Sequence, residues 1–368
     1  MSECIVKLFW QACVIGKAFV IYSSVSFIAL SCHEDIGLLV VFGELSDTKQ
    51  IKVVHLGEGA PNRSRYVPIS AQATETPKHV MHWEYAVPIA TIHLLACLAI
   101  LPWCFSWFGV ITAGLGTIVF GTFGINLGYH RLLSHRSLSV PLWLERTLAT
   151  LAVCSLEDTP SRWVANHRLH HCHSDDEPDP HSPRDGVAWS HMGWLFRHVP
   201  HRKSLNFLDK YARDVLVDPY YRALEQHPTA ALWIYIAHAL VFGIFGLLLG
   251  RSISGDWVAG TQLAVSLIVW GVFLRTVLVW HITWSVNSLT HLFGYRTYST
   301  GEDSRNNWLV AILAMGEGWH NNHHHDPASA STQHKWWEFD MTYYVILMLK
   351  SLGIATDVIQ PRHARQKR

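Results

Sequence analysis

"YAVPIATIHLLACLAILPWCFSWFGVITAGLGTIVFGTFGINLGY", residues 85–129, contains no Asp, Glu, Lys or Arg. One bilayer span takes about 20 apolar residues, so this stretch is too long for one and fits two. Inside it, "LPWCFSW" (101–107) supplies a proline and interfacial aromatics for a turn. The pattern predicts a hairpin with spans at about 85–104 and 107–128. Two more apolar runs, "TAALWIYIAHALVFGIFGLLLG" (229–250) and "WVAGTQLAVSLIVWGVFL" (257–274), are joined by "RSISGD" and predict a second hairpin.

Between the hairpins, residues 129–228 are polar and carry about a dozen Arg and Lys. Four spans in two hairpins put both termini and the large polar segments on one side. The Arg and Lys of 129–228 and of the terminal "PRHARQKR" make that side cytosolic, because cationic loops stay inside. Composition agrees with a chain partly in lipid: 15% of residues are charged, against about 25% in soluble domains. The 17 tryptophans and 12 tyrosines suit membrane interfaces. A net charge of +1 argues against nucleic acid as the main partner. The 7 cysteines are scattered with no CxxC pair, which leaves no zinc ribbon, thioredoxin-like site or obvious disulfide framework.

Residues 1–80 differ from the rest. "IVKLFWQACVIGKAFVIYSSVSFIALSC" (5–32) is apolar but interrupted by Lys7 and Lys17. It fits a poor signal-like segment, an amphipathic interfacial helix or a fifth span. "GEGAPNRSRYVPISAQATETPKH" (57–79) has linker composition. The expected organisation is an N-terminal segment 1–80 with no assigned function, a membrane domain 81–360, and a basic tail 361–368.

The 25 histidines concentrate in clusters. "HRLLSH" holds His130 and His135, "HRLHH" holds His167, His170 and His171, and "HNNHH" holds His320, His323 and His324. The i, i+3, i+4 spacing of the last two puts three imidazoles on one helix face. "NSLTH" adds Asn287 and His291, four apart on a helix that continues the fourth span. Nine histidines and one asparagine are too many for one six-coordinate ion and about right for two. Imidazole alone does not select the metal. His130 and His135 are about 140° apart on an ideal helix, so they serve different metals or sit where the helix breaks. His173, His181 and His325 are left outside the ligand set. Asp175, Asp176 and Glu177 read as a solvated run that caps the helix and supports the ligand histidines from behind, and Asp179 as the anchor of a turn beside the second cluster. "EGWH" (317–320) is a lone Glu-x-x-His, which argues against the paired carboxylate motif of soluble di-iron bundles.

At these residues the chain resembles the membrane fatty acyl desaturases of the stearoyl-CoA Δ9 type. The three histidine boxes of that family appear as "HRLLSH", "HRLHH" and, within "GEGWHNNHH", "HNNHH". "WSVNSLTHLFG" (284–294), "DPHSPRDGVAWSHMGWLF" (179–196) and "KWWEFDMTYYVI" (335–346) are similar as well, and the likeness covers about residues 81–360. The resemblance implies an all-α membrane fold of four transmembrane helices under a cytosolic helical cap. It implies two iron ions held by His130, His135, His167, His170, His171, His291, His320, His323 and His324, with Asn287 holding one iron through water. It implies Trp163 and Trp284 beside the acyl chain and Arg197 near the head group. His198 stands where animal members carry a second basic residue, which leaves the carrier, CoA or another, open.

The expected activity is O₂-dependent insertion of a cis double bond into a saturated acyl chain. Unactivated methylenes offer no acidic proton, so a metal cofactor has to do the chemistry. No GxGxxG marks a flavin or nicotinamide site and no CxxC marks a rubredoxin, so electrons come from a separate cytochrome b5 or ferredoxin-like protein. Gly114 and Ile118 are candidates for the end of an acyl tunnel. Two rival functions are a di-iron lipid or alkane hydroxylase and a metal transporter. The transporter needs ionisable groups lining a route inside the spans, whereas these clusters lie beyond the span ends.

Overall fold

A computed structural model describes residues 80–365 except position 228, together with the backbone of 19–23, 26–33, 38–45, 48–55 and 65–68. The chain divides into two units, Met1–Lys78 and His79–Arg368.

The described part of the first unit is an antiparallel meander, β1 (Phe19–Ser23), β2 (Ser26–His33), β3 (Leu38–Leu45), β4 (Thr48–His55) and β5 (Arg65–Pro68), paired in sequence order. None of the three readings of 5–32 fits residues 19–23 and 26–33, which are strands. "FVIY" and "SFIALS" are rich in β-branched and aromatic side chains that favour a pleated surface. Residues 5–18 lie outside the described residues. The linker-like 57–79 contains β5, where Tyr66 and Val67 pair with Lys52 and Ile51.

In the second unit the described residues form helices, joined by turns and isolated bridges. In chain order these are α1 (Trp83–Ile100), α2 (Trp107–Ser134), α3 (Leu142–Val153), α4 (Pro160–His173), α5 (Val187–His191) and α6 (Leu205–Leu216). Then come α7 (Pro219–Gln226), α8 (Ala230–Ser254), α9 (Trp257–Leu292), α10 (Trp308–Leu313), α11 (His320–His325) and α12 (Met341–Ser351). Four of them, α1, α2, α8 and α9, are long and apolar enough to cross a membrane. They start within two residues of the spans expected from hydropathy. α2 and α9 run on further, to 28 and 36 residues. At about 1.5 Å per residue, α9 exceeds 50 Å, well beyond the roughly 30 Å of bilayer hydrocarbon. The excess carries the first histidine pair and the Asn287–His291 segment out of the lipid.

Local chemistry fixes the hairpins. Ser106 caps α2 by accepting from the Gly109 N–H (2.9 Å), and its hydroxyl lies 2.7 Å from that of Ser266 on α9. Asp256 caps α9 by accepting from Ala259 N–H. Where α8 crosses α9, a Cβ on Gly250 would lie 2.8 Å from Gly260 Cα. Only glycine permits that approach, the small-residue packing typical of lipid-embedded helices.

Above the spans, α4 is clamped between neighbours. Its Val164, Ala165 and Leu169 bury against Ala149, Ala152 and Val153 of α3 and against Phe207, Leu208 and Val215 of α6. Arg275, fully buried on α9, donates to Cys154 O (3.0 Å) at the end of α3 and lies 2.8 Å from His238 Nε2 of α8. Its guanidinium also covers the Phe120 ring of α2 at 4.0 Å. This contact ties α3, and with it the start of α4, to three spans. The expected basic tail begins as a helical turn, Arg362–Arg365, in which Arg365 donates to Asp326 at 2.8 Å.

Candidate metal centre

Four segments converge above the spans: the end of α2, the last two turns of α4, the end of α9, and α11. They bring nine histidines into two groups whose nitrogens lie within 4.8 Å of one another inside each group. One group is His130, His135, His167, His171 and His323. The other is His170, His291, His320 and His324.

The division explains two features of the spacing. His130 and His135 fall in the same group because α2 ends in π turns, Thr117–Ser134, and not in α turns. His135 N–H donates to His130 O at 3.1 Å, an i to i+5 bond, so residues five apart stack one above the other. Of the two readings of the pair, a split between groups does not occur, and the helix does end there, at Ser134. Each of the other two boxes is shared. α4 sends His167 and His171 to the first group and His170 to the second, while α11 sends His323 to the first and His320 and His324 to the second.

Inside the groups, imidazole nitrogens face one another. Nε2 to Nε2 distances are 2.8 Å for His135–His167, 3.1 Å for His130–His323 and 2.9 Å for His323–His171. In the second group they are 3.3 Å for His170–His324, 3.1 Å for His320–His291 and 3.0 Å for His324–His320. Carboxylates take the opposite ring nitrogens. His130 Nδ1 lies 2.8 Å from Glu317 Oε2, His170 Nδ1 donates to Asp179 (2.9 Å) and His291 Nδ1 to Asp175 (2.9 Å). A carboxylate only accepts, so it holds the proton on Nδ1 and turns the Nε2 lone pair inward. Burial, reinforced by neighbouring imidazoles, holds His135, His167, His171, His320, His323 and His324 well below the ordinary histidine value. Convergent, neutral, buried lone pairs with oriented tautomers are a metal donor set. Nine imidazoles in groups of five and four fit two ions.

Asn287 lies one turn before His291 on α9 and faces the adjoining cavity. His325 turns away and stacks on Tyr298 with ring centroids 3.7 Å apart. His181 is buried beside His170 (centroids 4.4 Å), and its backbone N–H donates to Asp179. Asp175 supports a candidate ligand from behind, as expected of that run, but is buried and not solvated: it orients His291 and accepts from Asp303 N–H. Asp176 is exposed, as that reading has it. Glu317 was visible only as half of a Glu-x-x-His. Burial would raise its carboxyl, but Arg131 and His130 beside it bring it down to about 2. Arg131 is itself held by both Glu317 and Asp340.

A cavity of about 300 Å³ reaches the first group at His167. Trp163, Trp280 and Trp284 form its apolar walls, with Asn287 and His181 at the histidine end. Trp163 and Trp284, expected beside an acyl chain, both line it. Gly114 does not, since it is exposed with open space around it. Glu157 also faces the cavity; burial pushes its carboxyl up to about 8. It accepts from Trp163 Nε1–H at 3.3 Å, and the Thr283 side chain adds a second stabilising contact. Arg197 lines an adjoining basic pocket with Arg162, Arg202, Lys203 and His82, which shares Tyr85, Asp158 and Trp194 with the cavity. His198 stacks edge-on against His82.

The fatty acid desaturase family model matches residues 105–347. An sn-1 stearoyl-lipid 9-desaturase of Anabaena variabilis is 42% identical over 286 residues, covering 78% of this chain and 96% of that protein. The corresponding sn-1 stearoyl-lipid 9-desaturase of Synechocystis is 39% identical, over 77% of this chain and 82% of its own. An acyl-CoA 5-desaturase of Anemone leveillei is 38% identical, over 77% and 81%.

Proposed function

Because the chain belongs to the fatty acid desaturase family, it is a membrane oxidoreductase of fatty acyl chains, and we propose that it inserts a Δ9 cis double bond at a pair of iron ions held by the two histidine groups. One observation carries this reading: the apolar cavity ends on His167 of one group and on Asn287 beside the other. His130, His135, His167, His171 and His323 hold one ion. His170, His291, His320 and His324 would hold the second, with Asn287 one turn before His291 as a further donor.

Bound iron supplies the power to oxidise unactivated methylenes with O₂. In each turnover two hydrogens leave adjacent carbons, and with two electrons and two protons from outside they convert one O₂ to two waters. The side chains do the rest. Trp163, Trp280 and Trp284 exclude water and hold an alkyl chain that has no polar handle. Arg197 and its basic neighbours anchor the head group, so the bond is chosen by its distance from that anchor. Glu157, neutral at ordinary pH, keeps the cavity free of a fixed charge. The cap and both termini lie on the cytosolic side, where a separate cytochrome b5 or ferredoxin-like protein delivers the electrons.

The test is fatty-acid profiling of a desaturase-deficient host expressing the full chain or its His170→Ala variant. New cis-monoenes from the wild type alone are expected. Hydroxylated chains in their place would move the chemistry to oxygen insertion.

A further inference from the structure

Desaturation draws two electrons from the acyl chain and two from outside. With no chain in the cavity the first pair is missing, and an oxidising centre then takes electrons from the side chains around it. The histidines that form the groups and the tryptophans of the cavity wall stand closest. The fold offers a safer source on the far side of α11.

Tyr298 is held on that helix by both ring and main chain. Its ring stacks flat on His325, with centroids 3.7 Å apart and planes 6° from parallel. Its main-chain N–H donates to Asn321 Oδ1 (2.8 Å), and its carbonyl accepts from the Asn321 amide (3.0 Å). His325 directly follows His324 of the second histidine group, so one peptide link separates the stack from the donor set. The Tyr298 phenol oxygen lies 2.9 Å from His334 Nδ1. His334 is placed in turn by its main-chain N–H, which donates to Glu338, and Glu338 also accepts from Asn322 of α11. Burial, with the Glu338 and Asp326 carboxylates near, raises the Tyr298 hydroxyl, so the phenol starts protonated.

A phenol gives up an electron readily when a base takes its proton in the same event. An imidazole lone pair is such a base, and a main-chain carbonyl is not. This separates Tyr298 from Tyr129, which packs on Trp163 where that ring stacks on His167. Tyr129 is fully buried, and its hydroxyl donates to the Asp158 carbonyl at 3.1 Å. Tyr298 is half-buried, so a reductant in water can reach it. The direction of flow is fixed by chemistry: a phenol yields an electron to a strong oxidant and takes none from an ordinary biological donor.

We propose that Tyr298, with His334 as its base, supplies electrons to the oxidised centre when no acyl chain is bound, and so spares the histidines from oxidation. In each step the Tyr298 O–H bond breaks. One electron passes by way of His325 to the second group, the proton moves to His334 Nδ1, and a neutral phenoxyl radical remains. The external donor returns the electron, and His334 returns the proton. Two such rounds replace the two electrons that a substrate gives. With two further protons from water, one O₂ still ends as two waters. This rests on the desaturase reading, whose iron and O₂ supply the oxidant.

The test uses the iron-loaded full chain in a steroid detergent, which carries no acyl chain. Reduced protein is mixed with O₂ and freeze-quenched for electron paramagnetic resonance. A phenoxyl radical is expected, narrowed when the chain is made with ring-deuterated tyrosine and lost in Tyr298→Phe, which keeps the stack. His334→Leu removes the base and loses most of the signal, with iron content as in the wild type. After repeated rounds, peptide mass spectrometry should find oxygen added to the α11 histidines of Tyr298→Phe and not to those of the wild type. A wild type that makes unsaturated product from an added acyl lipid and shows no radical without it overturns the proposal. So does a radical that survives Tyr298→Phe. A Tyr298 radical in a chain that makes no unsaturated product upholds the electron route and sinks the desaturase reading alone. Neither radical nor product sinks both.

Discussion

Glu317 and His130 lie 2.8 Å apart, carboxylate oxygen to Nδ1, on segments 187 residues distant in the chain. The second oxygen of Glu317 accepts from Arg131 at 2.7 Å, so the carboxylate that sets the His130 tautomer is itself fixed. Glu317→Gln removes the charge while keeping the size. Iron affinity should fall by roughly 10- to 100-fold, the usual cost of losing a group that orients a metal-bound histidine. Iron per chain after dialysis against a graded chelator measures it, and wild-type retention would show that Glu317 serves Arg131 alone.

Adjacent histidines on α11 should behave oppositely. His324→Ala deletes a member of the second group and should abolish iron binding there together with desaturation. His325→Ala deletes a ring that stacks on Tyr298 and should leave iron content unchanged. If both variants lose iron equally, the register of the third box is wrong.

The Glu157 carboxyl, raised by burial from 4.5 to about 8, makes stability depend on pH. Below the unfolded value both states hold the proton and nothing is lost. As pH climbs from 4.5 to about 8 the unfolded chain ionises first, so stability falls across that window. Glu157→Gln should flatten the fall and gain on the order of 4 kcal/mol above about pH 8. Melting temperatures of both proteins at the two ends of the window decide it; parallel pH profiles would mean that Glu157 is not the group responsible.

Gly318 sits where the third histidine segment turns against α10. A Cβ there would lie 2.1 Å from Ala311 N and 2.6 Å from Asn307 O, both backbone atoms that cannot swing aside. Gly318→Ala should cost about 1–3 kcal/mol or more through forced backbone movement. It should lower iron content as well, because Glu317 and His320 flank it. A thermal melt matching wild type would refute the crowding.

Much of this architecture is legible in residue order. A 45-residue stretch without Asp, Glu, Lys or Arg reads as lipid-embedded. His167, His170 and His171 announce a shared helix face by spacing alone. Other features depend on backbone geometry that side-chain identity does not encode. His130 and His135 look divergent at 100° per residue and converge only because α2 widens into π turns. Asp175 and Asp176 are neighbours of the same type, yet one is buried against His291 and the other faces water. The φ of +64° at Asp175 turns the chain between them, and no local pattern marks it. The strands at 19–23 and 26–33 are apolar on both faces, so they carry no two-residue alternation that would set them apart from an apolar helix.

The sharing of α4 and α11 between the two histidine groups has a mechanical consequence. α4 is held by α3 and α6, and α11 by loops that reach back to Asn306 and Glu338. Neither helix belongs to one group alone. Any shift, tilt or fraying of either one therefore disturbs both groups together, and the intact pair is a single structural unit with no half-assembled form. The site is wired in series, and its weakest helix sets the integrity of the whole.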